Sequence, residues 1–257
     1  MKITLLQTNL IWENKEANLK AFDKHIQTIE SGETDLIVLP EMFTTGFSMQ
    51  PHLWAEEHLG ATLEQMQSWA QQKKIAVLGS FIVEENQQYF NRAYFVFPDG
   101  TFRFYDKRHL FRMAKEDAYY TAGNDRLIIE YKDWKILPLV CYDLRFPVWS
   151  RNNLDYDLLI YIANWPERRS TPWKTLLRAR AIENLSYVVG VNRIGKDGNG
   201  VEHSGDSALI DFKGDTLSRI QPHKEQKETV EISRSKLKAF REKFPAHLDA
   251  DQFLIKN

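Results

Sequence analysis

The 257 residues carry 34 Lys and Arg against 35 Asp and Glu, a formal charge of −1, so the totals favour neither a nucleic-acid nor a membrane surface as partner. Hydrophobic residues at 43% and aromatics at 12% exclude a disordered chain, and a chain of this length buries roughly three quarters of its unfolded surface, enough for a large core. One cysteine excludes an internal disulfide and no segment approaches the ~20 uninterrupted apolar residues that span a bilayer, so the expectation is a protein of the reducing cytoplasm acting on a small molecule.

Residues 2–8 alternate and are rich in branched side chains; charge returns by Glu13 with no cleavage site, so this stretch reads as a strand and not a signal. Residues 14–30 space Ala17, Leu19, Phe22, Ile26 and Ile29 at helical intervals. The run 35–40, DLIVLP, suits a strand covered on both faces and delivers Glu41 at its end. A loop of Thr44, Thr45 and Gly46 follows, then an amphipathic helix over 61–73 carrying Leu63, Met66, Trp69 and Ala70. Three strands over 75–83, 89–97 and 101–105, joined by Glu-Asn-Gln and Pro-Asp-Gly turns, predict an antiparallel meander that ends on Asp106 and Lys107.

Residues 126–131 and 134–140 give a strand pair whose second member ends on Cys141, and 157–163 is a buried-type strand ending on Asn164 and Trp165. A helix is expected over 171–185, with Thr171 as N-cap and Pro172 in its first turn, followed by strands over 186–192 and 206–212 that flank a loop with Gly195, Gly198 and Gly200. From residue 231 the chain is charged and helical in pattern, with Phe240 and Phe244 exposed unless a partner subunit covers them. No repeat or linker interrupts the chain, which reads as one domain over 1–257 with 231–257 a C-terminal tail at a subunit interface. Parallel-type strands, a meander and flanking helices predict an α/β protein built as a four-layer α-β-β-α sandwich and not a single doubly wound sheet.

Glu41, Lys107 and Cys141 each follow a strand-like run, and α/β folds group catalytic residues at strand ends. Taken alone, Cys141 reads as a small buried hydrophobe. A free thiol has pKa ~8.5, so a nucleophilic cysteine needs a base or a nearby cation, which Glu41 and Lys107 supply. Of the histidines, His109 and His203 are the candidates for a cysteine–histidine pair, but neither sits in a recognisable context and Arg108 disfavours a second positive charge at His109. The seven histidines lack metal-ligand spacing and the glycines run G-x-x-G-x-G, unlike a nucleotide-binding turn, so no metal and no cofactor is inferred.

The blocks LPEMFTTGF around Glu41, YDKRHLF around Lys107 and LVCYDLRFP around Cys141 resemble, in order, the three signature blocks of the nitrilase superfamily, the carbon–nitrogen hydrolases. The likeness continues through ANWP at 163–166, RARAIEN at 178–184 and HSGDS at 203–207, and its wording is nearest the omega-amidase branch. The resemblance implies the same sandwich, Glu41 as general base, Lys107 as cationic stabiliser, Cys141 as nucleophile, Glu116 ahead of Gly123 as the group that positions Lys107, and association at least as a homodimer. It implies hydrolysis of the omega-amide of a short 2-oxo acid, such as 2-oxoglutaramate or 2-oxosuccinamate, through a cysteine thioester, with the Tyr142 backbone N–H as a second oxyanion donor. Arg169 is the candidate partner for the substrate carboxylate, and Phe43, Phe47 and Trp165 the candidate apolar wall. An N-carbamoyl amino acid amidohydrolase, an aliphatic amidase, a nitrilase and a non-catalytic interaction module that keeps the fold remain the alternatives. Arg178, Arg180 and Glu183 read as ion pairs or as part of a dimer surface.

Overall fold

The computed structural model describes residues 1–255. In chain order its principal strands are β1 (Lys2–Gln7), β2 (Leu36–Val38), β3 (Ala76–Glu85), β4 (Gln88–Val96), β5 (Phe102–Asp106), β6 (Ile129–Tyr131), β7 (Trp134–Val140), β8 (Leu158–Ala163), β9 (Tyr187–Asn192), β10 (Ala208–Ile210) and β11 (Gln226–Glu231). Its longer helices are α1 (Lys15–Gln27), α2 (Ala61–Lys73), α3 (Ser170–Asn184) and α4 (Arg234–Lys243). One large sheet runs β11-β1-β2-β3-β4-β5, with the short strand Glu56–Glu57 beside β3; the second large sheet runs β10-β9-β8-β7-β6, and a separate two-stranded ribbon pairs Ile194–Lys196 with Glu202–Ser204.

Both sheets follow one plan. Three central strands are parallel (β1, β2 and β3 in one; β7, β8 and β9 in the other), and antiparallel neighbours close the edges. Parallel strands need both faces covered, and the side chains show how: Leu36 and Val38 face the core between the sheets, while Ile37 points the other way to meet Phe22 and Ile26 of α1 and Met66 and Trp69 of α2. Across the second sheet, Trp173, Leu177 and Ala181 of α3 complete the fourth layer. Gly190 of β9 permits that contact, because a Cβ there would lie 2.5 Å from Leu177 Cδ1. This is the predicted α-β-β-α sandwich.

Several predicted boundaries shift. Helix α3 starts at Ser170, not after a Thr171 cap: a 3₁₀ turn over Glu167–Arg169 runs into it, and the Ser170 hydroxyl donates to Asp206 Oδ2 at 2.7 Å. Strand β11, an edge strand reading QKETVE, shows no apolar alternation and so no strand signal in the sequence; it forms by pairing with β1 from Lys2↔Glu231 to Gln7↔Gln226. Phe240 is partly covered by its own chain, its ring 4.8 Å from Phe212, with Leu237 of the same helix buried. Phe244 remains exposed. No helix among the described residues is long and apolar enough to cross a membrane.

Candidate active site

The ends of β7 and β8 line a cleft of about 430 Å³ with Cys141, Asn164 and Trp165, and the ends of β2 and β5 in the other sheet hold Glu41 and Lys107 buried. From the first sheet, the chain leaves β2 and places Glu41, fully buried, just before a reversal at Met42, whose φ of +42° is the left-handed region. Glu41 Oε1 accepts from Asn91 Nδ2 at 2.7 Å and from Lys107 Nζ at 2.9 Å, and Oε2 accepts the backbone N–H of Asn164 at 2.8 Å. The carboxylate is thus aimed by three donors from β4, the end of β5 and the end of β8. Lys107, buried to 1% exposure, also donates to both oxygens of Glu116 at 2.9 and 3.0 Å. Burial pushes the Lys107 ammonium down, but Glu116 and Glu41 outweigh it and keep it protonated, while burial raises the Glu116 carboxyl against the pull of Lys107. The Phe111 backbone N–H fixes Glu116 from the other side.

From the second sheet, β7 ends where predicted and Cys141 turns the chain with φ of +45° into the 3₁₀ turn Cys141–Arg145. A non-glycine residue held at this φ is strained, and the surrounding bonds over-determine it. Asp143 Oδ2 accepts the N–H of Val140 at 3.0 Å and the Tyr105 hydroxyl at 2.8 Å, Oδ1 accepts the His109 N–H at 2.9 Å, and Arg180 Nη2 donates to the Leu144 carbonyl at 2.7 Å. As the second residue of this turn, Tyr142 carries one of the first N–H groups, which have no partner within it. Burial pushes the Cys141 thiol well above its ordinary range, Glu41 adds to this, and Lys107 opposes it only in part. The sulfur therefore rests as a thiol beside a base, not as a standing thiolate.

The two histidines have other partners. His109 Nδ1 bonds Asp143 Oδ1 at 2.8 Å and its ring stacks on Phe146 at 3.7 Å. His203 lines the cleft with Nδ1 on the Gly195 carbonyl at 3.2 Å, and burial together with Arg193 pushes its pKa down to about 4. Among the described residues no group of three or more His, Cys, Asp or Glu side chains is arranged to hold a metal ion.

Phe47 and Trp165 line the cleft as expected, with the Phe47 ring 4.9 Å from Lys107 Nζ. Phe43 does not. The reversal at Met42 turns it under the first sheet, where it is fully buried against Phe22 (5.2 Å), Phe81 and Trp69 (both 6.4 Å); it is a core residue of the helix layer. Arg169 lines the cleft, stacked 5.2 Å from the Phe111 ring and without a carboxylate partner among the described residues. Burial and the neighbouring charges of Arg168 and Arg145 lower its pKa. Arg145, 5.1 Å over the Trp165 ring, and Asn164 line the cleft from inside the LVCYDLRFP and ANWP blocks, though the sequence alone assigns neither a role; Asn91, buried within β4 behind the cleft, lies in no block and carries no sequence signal. Arg180 and Glu183 pair at 2.9 Å, whereas Arg178 is exposed.

The carbon–nitrogen hydrolase family matches residues 2–242. The chain is 49% identical over 257 residues to omega-amidase YafV of Escherichia coli K12, covering 99% of this chain and 98% of that one. It is 34% identical over 226 residues to a 2-oxoglutaramate amidase of Bacillus subtilis, covering 84% and 85%. A CN-hydrolase superfamily protein of Xanthomonas campestris, whose crystal structure holds an arsenic adduct in the active site, is 43% identical and superimposes with a TM-score of 0.97 over 100% of this chain and 99% of that one. The chain belongs to the carbon–nitrogen hydrolase family of the nitrilase superfamily.

Proposed function

We propose that the protein is an omega-amidase that hydrolyses the terminal amide of a short 2-oxo dicarboxylic acid monoamide, 2-oxoglutaramate or 2-oxosuccinamate, to the acid and ammonia. The observation that carries this reading is the contact of Glu41 Oε1 with Lys107 Nζ at 2.9 Å, both buried, at the cleft that Cys141 lines. Identity of 49% to an omega-amidase over nearly the whole chain supports the substrate class.

In this mechanism Glu41 takes the thiol proton as the sulfur attacks the amide carbon, so the raised thiol pKa is overcome only when a substrate is seated. The oxyanion forms against the Lys107 ammonium and the Tyr142 N–H. Glu41 returns its proton to the departing nitrogen, ammonia leaves, and a thioester remains on Cys141. Glu41 then deprotonates the water that releases the acid. Glu116 holds Lys107 in place, Phe47 and Trp165 wall the acyl chain, and Arg169, without a carboxylate partner among the described residues, takes the substrate carboxylate, with Arg145 beside it as the second cation of that wall.

Ammonia release from 2-oxoglutaramate, 2-oxosuccinamate, glutamine, an N-carbamoyl amino acid and a simple nitrile tests the reading. Preference for the two oxo-acid amides is the expected result; a preference for the carbamoyl compound or the nitrile reassigns the substrate, and no turnover together with unlabelled Cys141 leaves the non-catalytic module. We further infer one catalytic domain acting in the cytoplasm as a homodimer, with the segment after α4 at the interface: Phe244, Leu248 and Leu254 there are 55%, 76% and 92% exposed. A monomer by light scattering would contradict the dimer.

A further inference from the structure

On β4 and β5, residues next to the site residues face away from it. Arg92 and Asp106 are direct partners across the antiparallel pair, and the Lys107 N–H continues the ladder to the Asn91 carbonyl at 3.0 Å. Adjacent strand residues point to opposite faces, so Asn91 and Lys107 reach Glu41 while Arg92 and Asp106 meet on the outer face. There the Arg92 fork binds Asp106 twice, Nε to Oδ1 at 2.7 Å and Nη2 to Oδ2 at 2.9 Å. Nη2 also reaches Glu85 at 2.9 Å and Nη1 reaches His58 Nδ1 at 2.8 Å, and the guanidinium lies 4.1 Å from the Phe104 ring. The Arg92 side chain is 1% exposed.

An ion pair at this depth is a poor device for stability alone, since desolvation offsets its attraction and an apolar pair would pack as well beside Phe104. What a two-bond fork adds is geometry, because it admits one register and one strand separation. The Lys107 backbone is gripped on its other side too: its carbonyl accepts the Gly123 N–H at 3.0 Å, and a Cβ on Gly123 would lie 2.2 Å from the Asp106 carbonyl oxygen.

We propose that Arg92, through its fork on Asp106, is a positioning residue that sets where Lys107 Nζ and Asn91 Nδ2 meet Glu41, and so sets the proton-transfer geometry at Cys141. The proposal rests on the catalytic reading above. A misplacement of about 1 Å in such a group costs on the order of 100-fold in rate, which is the scale at stake.

The test replaces the pair by apolar residues, Arg92→Met with Asp106→Leu, and compares thermal midpoint, kcat, KM and the pH profile of Cys141 alkylation by iodoacetamide with the parent. The expected result is a folded enzyme with kcat down roughly 10- to 100-fold, KM within about threefold, and a displaced alkylation profile. Arg92→Lys keeps the charge without the fork and should fall between parent and double variant in kcat. If the double variant does not fold, Asp106→Asn, which keeps the shape and one acceptor, carries the same comparison. A folded variant with parental kcat, or with an unmoved alkylation profile, overturns the proposal and leaves Arg92 a stabilising residue only. Absence of turnover in the parent itself would instead count against the proposed function, and the alkylation profiles would still decide the role of Arg92.

Discussion

Two charged clusters sit back to back on the ends of β4 and β5, and each sets one cation against two carboxylates. The inner one joins Lys107 to Glu41 and Glu116, the outer one Arg92 to Asp106 and Glu85. They differ in access to water. In the outer cluster Glu85 is 36% exposed, so the surplus negative charge is shared with solvent; in the inner one no member exceeds 1%. With water excluded, the inner surplus falls on the titratable neighbours Tyr120 and Cys141, and at Cys141 it reinforces the burial that holds the thiol protonated. The same charge count thus gives a scaffold on one face and a poised thiol on the other, and burial makes the difference.

Removing the surplus should break this contrast most severely. Glu41→Gln takes away the proton acceptor and one of the two negative charges near the sulfur. Amide hydrolysis should fall by about 10³-fold or more, the scale of a lost general base. The sign for the thiol is opposite: burial is the larger cause of its raised pKa, but Glu41 raises it further, so without that carboxylate the alkylation curve of Cys141 moves to lower pH. Measuring ammonia release and alkylation on the same variant separates the two. A curve that stays put or moves to higher pH would show that Glu41 is not what loads the thiol.

The next effect is confined to the substrate. Arg169→Ala should raise KM for an oxo-acid amide about 10-fold or more while leaving a neutral amide nearly unchanged, the scale of one charge-assisted contact. Equal effects on both would move the carboxylate to Arg145, the other guanidinium over the cleft wall.

Much of the inner cluster was legible because strand ends are local features. The run 134–140 is the observed β7, 61–73 the observed α2, and both deliver their following residues where periodicity says. The side on which Phe43 lies was not legible, since it depends on one left-handed residue, Met42, that reverses the alternation counted from Glu41. Strand β11 was hidden because an edge strand needs no apolar face of its own. The outer cluster was invisible for a different reason: Arg92 and Asp106 are 14 residues apart in sequence, and only the register of the meander makes them partners.

Asp143 connects the clusters' strand pair to the nucleophile turn, since it accepts from Tyr105 of β5 as well as from Val140 and His109. Asp143→Asn exchanges an acceptor oxygen for an amide that faces existing donors, and should cost about 2–3 kcal/mol of stability by denaturant melts. A cost near zero would mean that the turn at Cys141 is held by β7 and α3 without it.

The smallest expected effect is the sharpest check on the role of water. Glu85 accepts from Arg92 Nη2 at 2.9 Å, and that hydrogen bond is the leading reason its pKa lies below the ordinary 4.5, against a smaller opposing effect of burial. A carboxyl depressed on folding contributes stability above its unfolded pKa and loses it as pH falls through the folded one. Because solvent reaches the pair, Glu85→Gln should cost less than about 1 kcal/mol at neutral pH, and the gap between variant and parent should close in acid, below the ordinary carboxylate range. A loss of several kcal/mol, or a gap that persists in acid, would mean that the outer cluster is as closed to water as the inner one. The contrast between a scaffold and a poised thiol would then have to rest on something other than burial.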